Sequence, residues 1–562
     1  MRNSAASKGF RTKIAVLAAA SLIPMSMVAT SAQADVATAP INLSAPTGIP
    51  GVAPLPFTAV KAAAFTIPAT MKNLTVIANQ GPIGTAFTVT GSGLAVNTTM
   101  GLTWSTADGH WVTEVLPNTV NYLGAGYTKY SVNMTTVTTD AAGGFAFTTK
   151  APEDFGGVHD IYAIAAGVAV AHGGFQMTRT ISISPTRGPV GTPITVTYTG
   201  MGASLYAGGA ALLWDNNYSG EMQAQWTRGT ARVIIRAAGG VGDHNIQVRD
   251  AINFAYLNVL QSPIPYANGG AATFHTTRDK GLIAPYITQP SAVTPSISAR
   301  TTLTTTGLDP ATKAIQTLSK TEGPILTKTT VNVTDLAPST DYRIVWSTVV
   351  GNRVNCTGTC WAYNSIPLGT ASSNASGTLS QEVTVPDNLG GFHSIQVLKG
   401  DAIQSQAVFY LQESIMPLYD KDGKLATMGV AKADTSGSLE AFQRGGAGAP
   451  TYTFKEGEEF TISMKGVGWT QMDNTLAVTY DNSYIGYGCG FNSNGYMVIH
   501  LWATGKPGTH VVDLYPLLYT NQPSFTNTPY GMVPVLSGDR DLPGLALGYK
   551  IPSVHFTIRI VK

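Results

Sequence analysis

Apolar and polar residues alternate with period two in short runs along most of this chain. The runs include LTVIANQ, AFTVTGSG and GLTW between residues 74 and 104, and ISIS, PITVTYTG and ALLW between 181 and 214. They continue as VNVT, RIVW and SIQVL between 331 and 398, then EFTISMK, LAVTY and MVIHLW between 459 and 502. Alternation of this kind sends one face of a strand to a core and the other to water. Gly, Pro, Asn and Asp separate the runs, as short turns require. Long amphipathic helical patterns are absent, so the pattern predicts stacked all-β domains.

The runs recur at domain length. Residues Trp214 to His244 match Tyr480 to His510 without a gap, at a constant offset of 266 (480 − 214 and 510 − 244). The shared features are an aromatic, Asp-Asn, a Tyr, a Gly, an alternating run and a closing Gly-x-His. Two further repeats, around Trp104 and Trp346, carry Trp-Ser-Thr-x-x-Gly instead. From the turn residue to the core aromatic, repeats one and three span 20 residues (104 − 84 and 346 − 326), and repeats two and four span 23 (214 − 191 and 480 − 457). The unit of repetition is therefore a pair of unlike repeats, present twice.

Two motifs carry a resemblance to a known family. A strand, Gly-Pro-x-Gly-Thr, an alternating strand and Gly-x-Gly occur at 81–93 and 188–202. A Pro-x(4)-Gly-x-His-x-Ile pattern closes the odd repeats, from Pro152 to Ile161 and from Pro386 to Ile395. Together these resemble bacterial immunoglobulin-like repeats of the IPT/TIG-like type. Repeat three departs from the pattern with Leu326 at the second Gly, and repeat four with Glu456-Gly457-Glu458. The resemblance implies an exported, non-enzymatic module for adhesion, surface assembly or spacing, and it carries over no binding residues.

The expected fold is all-β: four tandem immunoglobulin-like β-sandwich domains, arranged as two copies of a two-domain unit and extended as a rod. The expected boundaries are a signal peptide at 1–34, a linker or N-terminal extension at 35–72, and domains at 73–180 and 181–278. A linker at 279–313, a domain at 314–412, a linker at 413–446 and a domain at 447–562 complete the chain.

Composition narrows the function classes. Charged residues are 12% of the chain and the formal net charge is +2, which gives no basic footprint for nucleic acid. Arg2, Lys8, Arg11 and Lys13 precede an apolar run and then Ala32-Gln33-Ala34, the three parts of an export signal in order. No later apolar run reaches the roughly 18 residues of a transmembrane segment. Cys356 and Cys360 lie in CTGTCW, where a small loop-closing disulfide is expected. Cys489 is left over and is expected to be a buried thiol.

Candidate sites weigh toward scaffold. Gly-x-His recurs at His159, His244, His393 and His510, one per repeat, which suits a half-buried turn cap better than a shared metal. Trp104, Trp214, Trp346 and Tyr480 alternate with aliphatic residues and are expected in cores. The Asp-Asn-x-Tyr turn of the even repeats (Asp215, Asn216, Tyr218 and Asp481, Asn482, Tyr484) is a candidate binding site. So are the Tyr-rich loops at 251–270 and 511–541, the latter with Tyr515, Tyr519 and Tyr530.

No metal site, cofactor or catalytic residue is expected, since no nucleophile, zinc or phosphate-binding motif is present. The expected function is an exported, non-catalytic structural or adhesive protein of the cell surface or extracellular matrix. Its expected partners are itself, other surface proteins or polysaccharide. The alternatives are a carbohydrate-binding or substrate-targeting accessory, and an enzyme with an inter-domain site.

Overall fold

A computed structural model describes residues 40–57, 60–116, 119–204, 207–252, 254–255, 257–261, 269–297, 308–351, 361–415, 418–419, 425–426, 429–434, 447–520 and 531–562. The regular structure of the described chain is almost entirely β and builds immunoglobulin-like sandwiches. Repeat two sets the pattern. A three-stranded sheet of Thr180–Ser184, Pro193–Thr199 and Ala231–Arg236 faces a larger one. The larger sheet orders Arg187–Gly188, Gly270–Thr276, Gly242–Ile252, Gly209–Trp214 and Asn217–Gln223. Only its first strand runs parallel to its neighbour. Ile194, Val196, Leu212, Trp214, Ile246 and Phe274 close the gap between the sheets, as the period-two pattern requires.

Repeat three has the same two sheets in the same order, around Trp346, Ile395 and Phe409. Repeat one adds a long arm. Its strands Thr99–Leu116 and Thr119–Thr138 run far past the sandwich, and Ile41–Leu43 of the N-terminal extension pairs with the arm at Trp111–Thr113. Repeat four draws on residues expected to be linkers. Val430–Ala433 joins its smaller sheet, and Tyr286–Thr288 pairs with its last strand, Ser553–Val561.

The sandwiches are not strung out as a rod: Ala37–Lys562 forms one compact unit. The junction from odd to even repeat is built twice in the same way. Gly156 N–H donates to the Met201 carbonyl, and Gly390 N–H donates to the Val467 carbonyl. A Cβ on Gly156 would sit 1.7 Å from the Gly200 oxygen, and one on Gly390 would sit 1.7 Å from the Gly466 oxygen. Backbones this close admit only glycine at both places. Compaction then follows from side chains of three repeats entering one core: Trp111 of the arm and Trp226 of repeat two lie in the same cluster as Phe460, Leu476 and Phe556 of repeat four.

Candidate functional site

The Gly-x-His histidines are staples. In the odd repeats each ring sits between two main-chain carbonyls, and a neutral ring donates to one of them: His159 lies between Ser105 and Phe155, and His393 between Ser347 and Leu389. In the even repeats a turn carboxylate replaces one carbonyl. His244 Nδ1 lies 2.6 Å from Asp215 and His510 Nδ1 lies 2.6 Å from Asp481, while Nε2 meets the Gly240 and Lys506 carbonyls. Each ring lies against its core aromatic, from 4.2 Å for His159 on Trp104 to 5.7 Å for His510 against Tyr480. Burial pushes His393 down to about 4, against the pull of its carbonyl partners. Burial opposes protonation of His510 as well, but Asp481, the Lys506 carbonyl and Asp279 together outweigh it and hold the imidazole above its ordinary value.

The Asp-Asn turns are two-residue hairpin connections with both central residues left-handed. Asp215 and Asn216 have φ of 50° and 66°, and Asp481 and Asn482 have 48° and 63°. Asp and Asn tolerate that geometry better than other non-glycine residues, which accounts for the shared sequence. The two turns then diverge. Asn216 is exposed. Asn482 is 1% exposed, donates from Nδ2 to the Arg236 carbonyl at 2.7 Å, and accepts from Ser219 Oγ at 2.6 Å through its own carbonyl. Tyr218 and Tyr484 meet edge to face, with centroids 6.2 Å apart.

Behind that contact lies a buried ion pair. Arg236, 1% exposed, places Nη2 2.7 Å from Asp513 Oδ1 of repeat four, and His555 Nδ1 lies 2.6 Å from the same oxygen. Burial alone would raise Asp513, yet Arg236 and His555 hold its carboxyl below the usual range. Nearby, the Leu536 N–H of repeat four donates to the Glu221 carbonyl, extending the repeat-two sheet by one bridge at Val535. Asp541 closes the junction of three repeats. It accepts from Trp111 Nε1–H and from the Trp226 N–H, both at 3.0 Å. Burial pushes its carboxyl up to about 7, although those donors pull the other way.

Of the remaining sequence candidates, Tyr515 is 2% exposed in strand Gly508–Thr520, so the stretch at 511–541 begins as a core strand and not as a recognition loop. The apolar alternation of VVDLYPLL already carried that signal. Tyr519 is the next-to-last residue of the same strand. Tyr530 and the Cys356–Cys360 pair lie outside the described residues. Cys489 is exposed on Ser483–Cys489 and not buried, because that strand is a sheet edge.

A cleft of about 570 Å³ opens between the N-terminal extension, the arm and repeat two, lined in part by Asn42, Asp108, His110, Gln225 and Arg228. Asp108, its carboxylate, is already held by Lys61 and Arg228, each at 2.9 Å. Among the described residues, no three His, Cys, Asp or Glu side chains gather as a metal site.

No protein-family model matches the chain. No curated protein matches it either. Solved structures that align with it include FdeC, a broadly conserved Escherichia coli adhesin, at 13% identity over 62% of this chain and 99% of that one, with a TM-score of 0.15. A putative membrane-anchored protein from Corynebacterium diphtheriae aligns at 10% identity over 62% and 89%, also at 0.15. Escherichia coli alpha-2-macroglobulin aligns at 10% over 86% and 30%, again at 0.15. Likeness at that level carries no argument about function.

Proposed function

We propose that this chain is an exported, non-catalytic structural or adhesive protein of the cell surface. The observation that carries the reading is the use made of its histidines. In all four repeats both ring nitrogens of the Gly-x-His side chain lie within hydrogen-bond distance of carbonyls or of the turn carboxylate. The group best suited to acid–base or metal chemistry near neutral pH is thereby spent on holding strands together. The buried junctions between repeats add stiffness, which suits a load-bearing or presenting scaffold. Among the described residues no helix is long and apolar enough to cross a membrane.

A second reading, a carbohydrate-binding accessory, has its place at the cleft beside Asn42, His110, Gln225 and Arg228. Fractionation of the source cells, with surface labelling of intact cells, tests the first reading. The protein is expected in the envelope or medium, accessible to label, and starting after Ala34. Recovery from the cytosol with residues 1–34 still attached would contradict it. Retention on insoluble polysaccharide, lost on Arg228→Ala, would favour the second reading.

A further inference from the structure

The cleft between the N-terminal extension, the arm and repeat two gathers positive charge. Alternation puts Asp108 and His110 on one face of strand Thr99–Leu116, opposite Thr128 and Gly126 of the neighbouring strand. The Asp108 carboxylate is filled from three sides. The Tyr130 hydroxyl and Arg228 Nη2 donate to Oδ1 at 2.8 and 2.9 Å, and Lys61 Nζ donates to Oδ2 at 2.9 Å. Burial alone would raise Asp108, yet those donors hold its carboxyl below the usual range, so it stays ionised. A further cation, Arg232, is exposed at the rim, and among the described residues no carboxylate pairs with it. Its Nη1 would lie 3.8 Å from a Cβ on Gly51, next to the lining residue Val52. Arg540 also reaches Gly51 but pairs with Asp539, and Asp541, behind the Trp226 main chain, is 0% exposed with both oxygens held by N–H donors. Over the whole chain 34 Lys and Arg stand against 32 Asp and Glu, so Lys61, Arg228 and Arg232 around the one carboxylate of Asp108 are a local excess.

We propose that this cleft binds a saccharide bearing a carboxylate, with Lys61, Arg228 and Arg232 serving the acid group and His110 and Thr128 the ring hydroxyls. The proposal rests on the carbohydrate-binding reading above and adds the charge of the ligand. Because the Asp108 oxygens are already occupied, the wall offers a ligand donors and positive charge, the combination that recognises a carboxylate. Arg228 is set before any ligand arrives: its backbone is left-handed, with φ of 50°, and its guanidinium donates to the Ala107 carbonyl as well as to Asp108. His110 has no hydrogen-bond partner among the described residues. A Cβ on Gly126 would sit 2.4 Å from its Nε2, so the ring lies on bare backbone and keeps its polar edge for a ligand. The volume of about 570 Å³ is that of a small-molecule site, and Val52, 40% exposed, gives the C–H face of a sugar ring an apolar contact.

Calorimetric titration of the full mature chain with a galacturonate oligosaccharide, and with its neutral methyl ester, reads the charge preference directly. The acid is expected to bind about tenfold or more tightly than the ester, and to weaken as salt rises from about 0.05 to 0.5 M. Arg232→Gln and His110→Ala should each weaken binding of the acid by about threefold to tenfold. Lys328→Gln, which removes a charge from repeat three, should leave it unchanged. Arg232 is exposed and His110 is without a partner, so thermal midpoints should stay near that of the parent, and two independent cleft variants guard against one failing to fold. Equal binding of acid and ester, lost on His110→Ala, would overturn the carboxylate and leave the carbohydrate-binding reading standing. Binding of neither would overturn both. Binding of the acid indifferent to both cleft substitutions would put the ligand elsewhere and overturn the proposal.

Discussion

Asp215-Asn216 and Asp481-Asn482 share sequence, backbone angles and a bond from Asp to the Gly-x-His histidine, yet one turn faces water and the other is buried in a neighbour. The local sequence determines the hairpin; what the hairpin touches is decided elsewhere. Repeat four brings the segment after strand Gly531–Pro534, Val535 to Asp541, against repeat two. The even repeats are therefore alike inside and unlike outside. That distinction separates scaffold from interface in this molecule.

Arg236 is the strongest place to break the comparison. Arg236→Ala would leave Asp513 buried with only His555 beside it, and a loss of about 3–5 kcal/mol in chemical denaturation is expected. Trp502→Ala, at the matching position of repeat four, is half exposed and should cost about 1 kcal/mol or less. Next in size is the turn itself. Glycine keeps the left-handed backbone at either Asn, so Asn482→Gly should cost about 1–3 kcal/mol through the lost bond to the Arg236 carbonyl. Asn216→Gly should stay within about 0.5 kcal/mol.

Two smaller effects depend on pH. Asp541 is raised to about 7, well above the ordinary carboxylate range, so its contribution is fully present below about 4 and is lost as pH rises through 7. Asp541→Asn should therefore cost more stability at pH 5 than at pH 8, measured as the difference in thermal midpoint from the parent. His510 is raised by Asp481, so its contribution is likewise present below its ordinary value and lost as pH rises through the folded one. Asp481→Asn should lower the His510 titration midpoint followed by NMR, with an effect on stability of about 1 kcal/mol or less.

Much of this was legible in the sequence. The period-two runs located the strands, the offset of 266 located the even pair, and the core aromatics sit where alternation put them. Which face is covered was not visible: Ser219, Glu221 and Arg236 are buried, whereas Ile485, Tyr487 and Trp502 at the matching positions are exposed, the reverse of what their polarity suggests. What could not be read is contact between distant segments. Trp111 bonds Asp541 across 430 residues, and no local pattern marks either as part of a shared core. The arm was hidden because its strands, Thr99–Leu116 and Thr119–Thr138, mix polar and apolar residues on both faces, each of which meets a different neighbour. Tyr286–Thr288 and Val430–Ala433 escaped notice because their Pro- and Ala-rich surroundings read as linkers, whereas short strands need only a partner edge.

Hydrogen exchange bears most directly on the central claim, that repeat four covers Ser219, Glu221 and Arg236 of repeat two while Ile485, Tyr487 and Trp502 at the matching positions stay exposed. Peptides spanning Asn217–Gln223 are predicted to exchange slowly, only with global opening, and those spanning Ser483–Cys489 to exchange much faster along the outer edge. Equal protection of the two strands, or faster exchange at Asn217–Gln223, would contradict the account.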